Sequence, residues 1–362
     1  MSFFHPIKES VACMFDGQSI RFFHVSKKGT SVSLKNFFSE VVPELLDVQQ
    51  SQQARINLVE RLIKIRKQYK FSKIHLVIPD QYITVFHTVM PHDIFWDAQA
   101  QNKNTTLQNS IETYLKKLLD GHESFLTTDS IADYEIIQET SEGYHLHVSI
   151  ARSERFAFIP KLLQDAGFVV GHIDIASFSI HRFAQYMKEG ALYGTIAMNE
   201  TTTQLSIVRS GKIVISLQCP VGSRDILNTI QTTLGITEYE AERIIRQYGI
   251  LATHPDKRVL AALHKTLDPV VDGLQQAIAH CSGRLYDHLF YRGVPDTWYI
   301  YGVGSFILGV AQYLGIKAHA HVQPIDIIPT ELMDEEVILQ IPADQLSLYL
   351  PVMSTALNYL LE

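Results

Sequence analysis

Two histidine pairs, His145/His147 and His319/His321, each set two imidazoles on one face of a strand, the arrangement from which a metal site begins. No third ligand follows either pair at a suitable spacing, so both are read as structural and no metal is expected. Thr201-Thr202-Thr203 offers three hydroxyls, but no neighbouring His or Lys supplies the base that a nucleophile needs, and small polar residues suit a turn. Cys13, Cys219 and Cys281 lie far apart with no CxxC pair. That pattern fits reduced thiols in a cytosolic interior, not disulfides or zinc.

The elements that would position any site come in two similar sets. Val11–Phe15, a turn at Asp16–Ser19, and Ile20–Val25 form a strand pair, and a turn at Lys27-Lys28-Gly29 leads to Ser31–Phe37. The second set is Thr195–Met198, a turn at Asn199–Thr203, Gln204–Val208, a turn at Ser210-Gly211-Lys212, and Ile213–Gln218. Each triplet leads into a helix. The first spans about Gln53–Tyr69 with Ile56, Val59 and Ile63 on one face; the second starts near Ser223, which suits an N-cap. A strand triplet followed by a helix and a further strand, met twice, predicts a duplicated α/β domain.

Between the sets, the sequence predicts strand Ile83–Val89, helix Thr106–Leu119, strands Tyr134–Glu139 and Tyr144–Ala151 joined at Ser141-Glu142-Gly143, helix Glu154–Ala166 and a return strand Phe168–Ile175. Ile236 to Val294 reads as helical, with Thr237 and Glu240 in capping-box spacing and a long helix from Asp256 to about Tyr291, bent at Pro269. Phe22-Phe23 and Phe37-Phe38 put large apolar groups on both strand faces, which predicts core on each side.

The chain has 362 residues, 46% of them hydrophobic, enough for two domains with large cores. Its net charge of −7 is spread without long runs, so no basic footprint for nucleic acid exists. The start lacks the basic-then-apolar order of a secretory signal and reads as a mature N-terminus. Trp298–Gly315 carries no charge, but Gly302, Gly304, Ser305, Gly309 and Gln312 interrupt it; strand, turn and helix are expected there, not a membrane span. No Lys or Arg follows Lys317, which argues against a basic membrane-anchoring tail.

An ordered set of landmarks carries a resemblance. It comprises His75-Leu-Val-Ile-Pro79 with Val85–Pro91, Asp133-Tyr134-Glu135-Ile136, Ala166-Gly167-Phe168 and Ile173-Asp174-Ile175 with Phe178. Lys212 to Gly222 with Pro220-Val221-Gly222, Glu240-Ala241-Glu242-Arg243, Tyr248-Gly249, and Gly302-Val303-Gly304-Ser305 with Leu308-Gly309 continue it. Together they resemble the actin-like ATPase superfamily and, within it, the PilM family of type IV pilus assembly proteins, over nearly the whole chain. The resemblance implies an α/β actin-like ATPase fold, a duplicated ribonuclease-H-like arrangement of two domains around a cleft with an inserted α+β subdomain. By this reading residues 1–82 and 168–192 form the first actin-like subdomain, 83–167 the inserted one, 193–235 and 295–362 the second, and 236–294 a helical subdomain.

The superfamily grips ATP with two strand turns of the form Asp-x-Gly, whose amides meet phosphate and whose Asp serves magnesium. Aligned on the flanking strands, Met14 and Asp16 stand for Asp and Gly in the first turn, and Ala197 and Asn199 in the second. A two-residue shift would instead align Asp16-Gly17 with the first motif. The acid that positions water corresponds to Ala176, and the Lys three residues after Glu242 to Ile245. Two like charges at about 4 Å repel by ~4 kcal/mol at an effective dielectric of 20, so Asp16 opposes a phosphate. The expected vestigial nucleotide site comprises Asp16, Gly17, Gln18, Ser19, Asn199, Glu200, Thr201, Thr202, Glu242, Gly302, Gly304 and Ser305. No catalytic residue and no cofactor is expected beyond weak ATP and Mg2+.

The resemblance further implies a cytoplasmic scaffold at the inner face of the inner membrane, reaching the membrane only through a bitopic PilN-like partner whose short tail it binds, alongside other pilus machine components. The expected peptide groove lies between the first domain and the insert, with Val85, Phe86 and His87 on one wall and Val170 and His172 on the other. The rival readings are an ATPase with retained nucleotide switching, a type II secretion component related to GspL, which would continue into a transmembrane helix, and a sugar kinase, which would need an acidic base in the cleft.

Overall fold

Strands that are apolar on both faces must be covered on both faces, and this dictates the architecture. The computed structural model describes all residues except 1–7, 17–18, 30, 47–50, 102–105, 121–129, 153–155, 186–191, 252, 283–292, 326–345 and 362. In β1 (Lys8–Asp16), Val11, Cys13 and Phe15 enter one core while Ala12 and Met14 enter another. In β2 (Ser19–Lys28), Ile20 and Phe22 follow the first set, Phe23 and Val25 the second. The two-residue period of a strand does the sorting. Phe38 stacks on Phe22 on one side, and Phe37 meets Tyr349 edge-on on the other, so both aromatic pairs are core, as expected.

The first sheet runs β3 (Ser31–Val41), β2, β1, β4 (Lys73–Ile78), β8 (Val169–Ile175). The second runs β11 (Lys212–Cys219), β10 (Thr203–Arg209), β9 (Leu192–Met198), β12 (Trp298–Tyr301), β13 (Val322–Pro324). In each, three consecutive antiparallel strands are extended by two parallel ones. The internal duplication is therefore real at the level of strand order.

Helices α1 (Gln52–Tyr69) and α4 (Phe158–Asp165) cover one face of the first sheet. Ser51 caps α1 through the Ala54 N–H. Its buried face is Ala54, Leu58, Leu62 and Ile65; Ile56 is 44% exposed and Val59 and Ile63 lie at the margin, which corrects the face expected from sequence. The insert is a three-stranded sheet in the order β5 (Ile83–Pro91), β7 (Gly143–Arg152), β6 (Ser130–Thr140). Helix α2 (His92–Gln101), absent from the sequence reading, and α3 (Leu107–Asp120) accompany it.

Around the second sheet lie α6 (Ser223–Leu234), α7 (Glu238–Tyr248), α8 (Lys257–Ser282) and α9 (Val310–Ala318). The Thr237–Glu240 capping box forms as expected. Gly222, not Ser223, is the N-cap of α6: its N–H is taken by Asp225, and a Cβ there would stand 2.4 Å from the Glu200 backbone. Pro269 lies within α8, whose expected continuation to Tyr291 falls outside the described residues. Trp298–Gly315 divides into β12, a 3₁₀ turn at Val303–Phe306 and the start of α9; among the described residues no helix is long and apolar enough to cross a membrane.

The largest departure concerns the last helix, α10 (Leu346–Leu361). The sequence reading assigns residues 295–362 to the second subdomain. Instead Tyr349, Leu350, Val352, Met353, Ala356, Leu357 and Leu360 are all buried, on the free face of the first sheet against β1, β2 and β4 and beside α5 (Ala176–Gln185). A helix apolar all round must be covered all round. Buried polar groups join it to α5: Thr355 Oγ1 reaches Ser179 Oγ at 2.6 Å, and Asn358 Nδ2 donates to the Ser179 carbonyl at 3.0 Å.

Candidate functional site: a sealed cleft and an open groove

Three residues from three elements decide the character of the cleft. Met14 at the end of β1, Ala176 at the start of α5 and Ala197 in β9 are 4%, 4% and 1% exposed, and all belong to one apolar cluster with Val77, Tyr301 and α10. These are the positions that the sequence resemblance aligns with the carboxylates of an active actin-like ATPase. Here they are core shared by both halves.

Around this floor the predicted nucleotide residues divide. Asp16, Ser19, Glu200 and Glu242 line an open groove of about 310 Å³ together with Arg21 and Arg224. Asp16 and Arg21 pair at 2.7 Å with side chains only 11% and 8% exposed, and Arg224 pairs with Glu200. Glu238 also lines the groove, so its carboxylates outnumber its cations and both cations are already neutralised. A triphosphate would meet net negative charge here. Ser19 Oγ donates to the Asp16 carbonyl at 3.0 Å, and Gly17 and Gln18 lie outside the described residues.

The β9–β10 turn is equally self-satisfied. The Asn199 N–H donates to the Thr202 carbonyl, while the Ser223 and Arg224 N–H groups at the start of α6 donate to the Asn199 and Glu200 carbonyls, each at 2.9 Å. The helix N-terminus that could receive an anion is thus spent on protein. Thr201 Oγ1 donates to Gln81 Oε1 across the cleft at 3.2 Å. Gly302, at φ +89, brings the next turn against Met198, and Gly304 packs there too. Ser305 Oγ donates to the Gly302 carbonyl at 2.7 Å and meets Ser347 of α10 at 3.0 Å. Glu242 pairs with Arg246 on its own helix. Ile245 is buried in the core of the second half and offers no donor.

Sequence reasoning missed Asp80. It follows β4, is 5% exposed, and accepts the Ser177 N–H at 3.1 Å beside Ala176. Burial pushes its carboxyl up to about 6, against the hydrogen bonds from Ser177. The signal was faint, an acid directly after the strand-ending Pro79.

The second candidate is a groove of about 380 Å³ where the insert meets the first half, reached also by the β10–β11 hairpin. Ile83, Ala151, Ile173, Ile175 and Phe178 give it an apolar lining; Asp174 and Arg182 pair on its wall. Burial raises the Asp174 carboxyl, with Arg182 opposing. Among the described residues both β5 and β8 are edge strands, paired on one side only, to β7 and β4 respectively. The expected wall residues lie elsewhere on the same strands. Val85 and Val170 pack on the α1 core and Phe86 on the insert core; His87 reaches His145 at 3.3 Å. His172 and His75 both stack against Tyr359, with centroids at 4.4 and 4.3 Å, and against each other at 5.3 Å. The groove opens where the chain leaves and re-enters the first sheet, so the first residue of β5 and the last residues of β8 face it, not mid-strand ones.

Behind it, His87, His147 and His181 run from the insert sheet to α5. Burial, then the neighbouring histidine, holds them down to about 4, 4 and 3 respectively, so all are neutral near pH 7. Among the described residues no group of His, Cys, Asp or Glu is arranged to hold a metal ion.

No protein-family model matches the sequence, and no curated protein matches it. Among solved structures, the PilM-PilN type IV pilus biogenesis complex aligns over 98% of this chain and 98% of that chain, with a TM-score of 0.72 and 17% identity. This chain has the actin-like ATPase fold. The same fold relates it to the ethanolamine utilization protein EutJ from Carboxydothermus hydrogenoformans, at a TM-score of 0.51 and 10% identity over 97% of this chain and 90% of that one. MreB 5 of Spiroplasma citri bound to AMPPNP is a looser likeness, at 0.49 and 9% over 97% and 98%. The groove between insert and first half thus has an apolar lining, while in the cleft between the halves the floor is filled by the chain's own apolar side chains and the groove above it is acidic.

Proposed function

We propose that this protein is a cytoplasmic scaffold of the type IV pilus assembly machine, holding the short cytoplasmic tail of a bitopic, PilN-like inner-membrane protein in the groove beside β8. It is peripheral at the inner membrane through that partner, and it does not turn over nucleotide. One observation carries the reading: Met14, Ala176 and Ala197 converge in a single apolar core at the place where the fold's phosphate chemistry would occur. Support comes from the likeness of fold to PilM, whose solved structure is a complex with PilN. An extended tail fits the groove's chemistry, since a free strand edge offers backbone pairing and Ile173, Ile175 and Phe178 offer apolar contacts.

The test is titration of fluorescent peptides from the cytoplasmic tails of candidate bitopic partners into the full chain, with and without Mg-ATP. Saturable binding that ATP leaves unchanged is expected. Tight magnesium-dependent ATP binding with phosphate release would instead favour the nucleotide-switching reading, and failure of every tail would remove the scaffold reading.

A further inference from the structure

At the floor of the cleft the two halves enclose a cavity of about 20 Å³, lined in part by Asp16, Arg21, Asp80, Asn199, Tyr301 and Ser347. A single water needs roughly 10–15 Å³ and two to four polar partners, so the space is the size of one water and excludes a phosphate group. Its walls are largely apolar, with Met14, Ala176, Val303 and Leu348 among them, and the polar groups they do carry are incompletely satisfied. Tyr301 is 2% exposed and its Oη has no partner; Asn199 Nδ2 also has none. Buried donors left in this state destabilise a fold, and an internal water is the ordinary remedy.

The geometry divides the partners between the halves. Asp80 comes from the end of β4 and keeps carboxylate lone pairs beyond the Ser177 bond. Asn199 follows β9 and Tyr301 ends β12, both in the second half. The Asp16–Arg21 pair beside them is neutral in sum, so no cation is left over for Asp80 from that side. We propose that the cavity holds one ordered water, accepting from Tyr301 Oη and Asn199 Nδ2 and donating to Asp80, and that this water latches the two halves where the fold elsewhere uses nucleotide. The latch makes cleft closure a property of the chain alone.

A crystal structure of the full chain with well-ordered solvent tests the site directly. One peak within hydrogen-bond reach of Tyr301 Oη and the Asp80 carboxylate is expected. A dry cavity overturns the proposal, as does a peak with the short, many-oxygen coordination of a metal ion. Hydrogen exchange tests the latch. Tyr301→Phe removes the hydroxyl at nearly constant volume, and exchange at Asn199–Thr203 and at the start of α5 should quicken roughly two- to tenfold, with the insert sheet unchanged. Asn199→Ala, a milder change in a turn, should act in the same direction. Unchanged exchange in both variants would overturn the latch even with the water in place.

Discussion

The cleft and the groove are built from the same strands and have opposite characters. β1, β9 and the start of α5 bring their ends together at the cleft, and several polar groups there are directed to another part of the chain: Arg21 to Asp16, Arg224 to Glu200, the α6 N-terminus to the β9–β10 turn, Ser305 to Ser347. The groove is bordered by two strands each lacking a neighbour on one side among the described residues, and its apolar residues are partly uncovered, Ile173 at 47%. A surface that satisfies itself has little to offer a ligand, whereas one with free backbone edges and exposed apolar area does.

The contrast can be broken most forcefully by restoring an acid. Ala197→Asp would place a carboxylate in a core position 1% exposed, at a cost on the order of 4 kcal/mol or more, read as a large fall in urea midpoint. A dormant but intact phosphate site would tolerate it. Arg21→Met should cost about 3–5 kcal/mol by stranding Asp16, and adding Asp16→Leu should recover most of the loss, which a chemical-denaturation double-mutant cycle would reveal.

Acid should act on the joint behind the groove. His87, His147 and His181 have folded values near 4, 4 and 3, below the ordinary 6.5, so the unfolded chain binds more protons between these limits. Their contribution is complete above about pH 6.5 and is lost as pH falls toward 4; His147→Phe, which removes two unpartnered buried nitrogens, should flatten a plot of urea midpoint against pH. Ile173→Glu should weaken tail binding by about tenfold or more while changing stability by less than about 1 kcal/mol, since the residue is half exposed. The smallest effect sharpens the contrast from the other side: Glu242→Ala should change neither tail affinity nor stability beyond about 0.5 kcal/mol, measured in the same two assays.

Much of this was legible in sequence because local rules and tertiary demands agree there. The two strand triplets, the Thr237 capping box and the break-up of Trp298–Gly315 are all set by short-range turn chemistry and strand period. The missing carboxylates at 14, 176 and 197 were visible one by one, but their fusion into one core was not, since it depends on how three distant elements meet. The lining of the open groove was not legible for a related reason: period fixes which residues share a strand face, not which end of the strand a neighbouring module leaves open. Asp80 and Ser347 gave no signal because each acts through a partner about a hundred or more positions away or in another half, Ser177 in one case and Ser305 in the other. Ile56 was misassigned because α1 has apolar residues on more than one side, and the choice among them is made by the sheet beneath.

Helix α10 has a bearing on how the molecule comes into being. A ribosome releases β1, β2 and β4 early, yet one side of the sheet they form is only partly covered, by α5, until residues 346–361 emerge. The nascent chain must therefore carry an uncovered apolar surface through most of its synthesis, a state that invites chaperone binding. It also follows that neither half should be obtainable as an independent folding unit by cutting the chain at its midpoint.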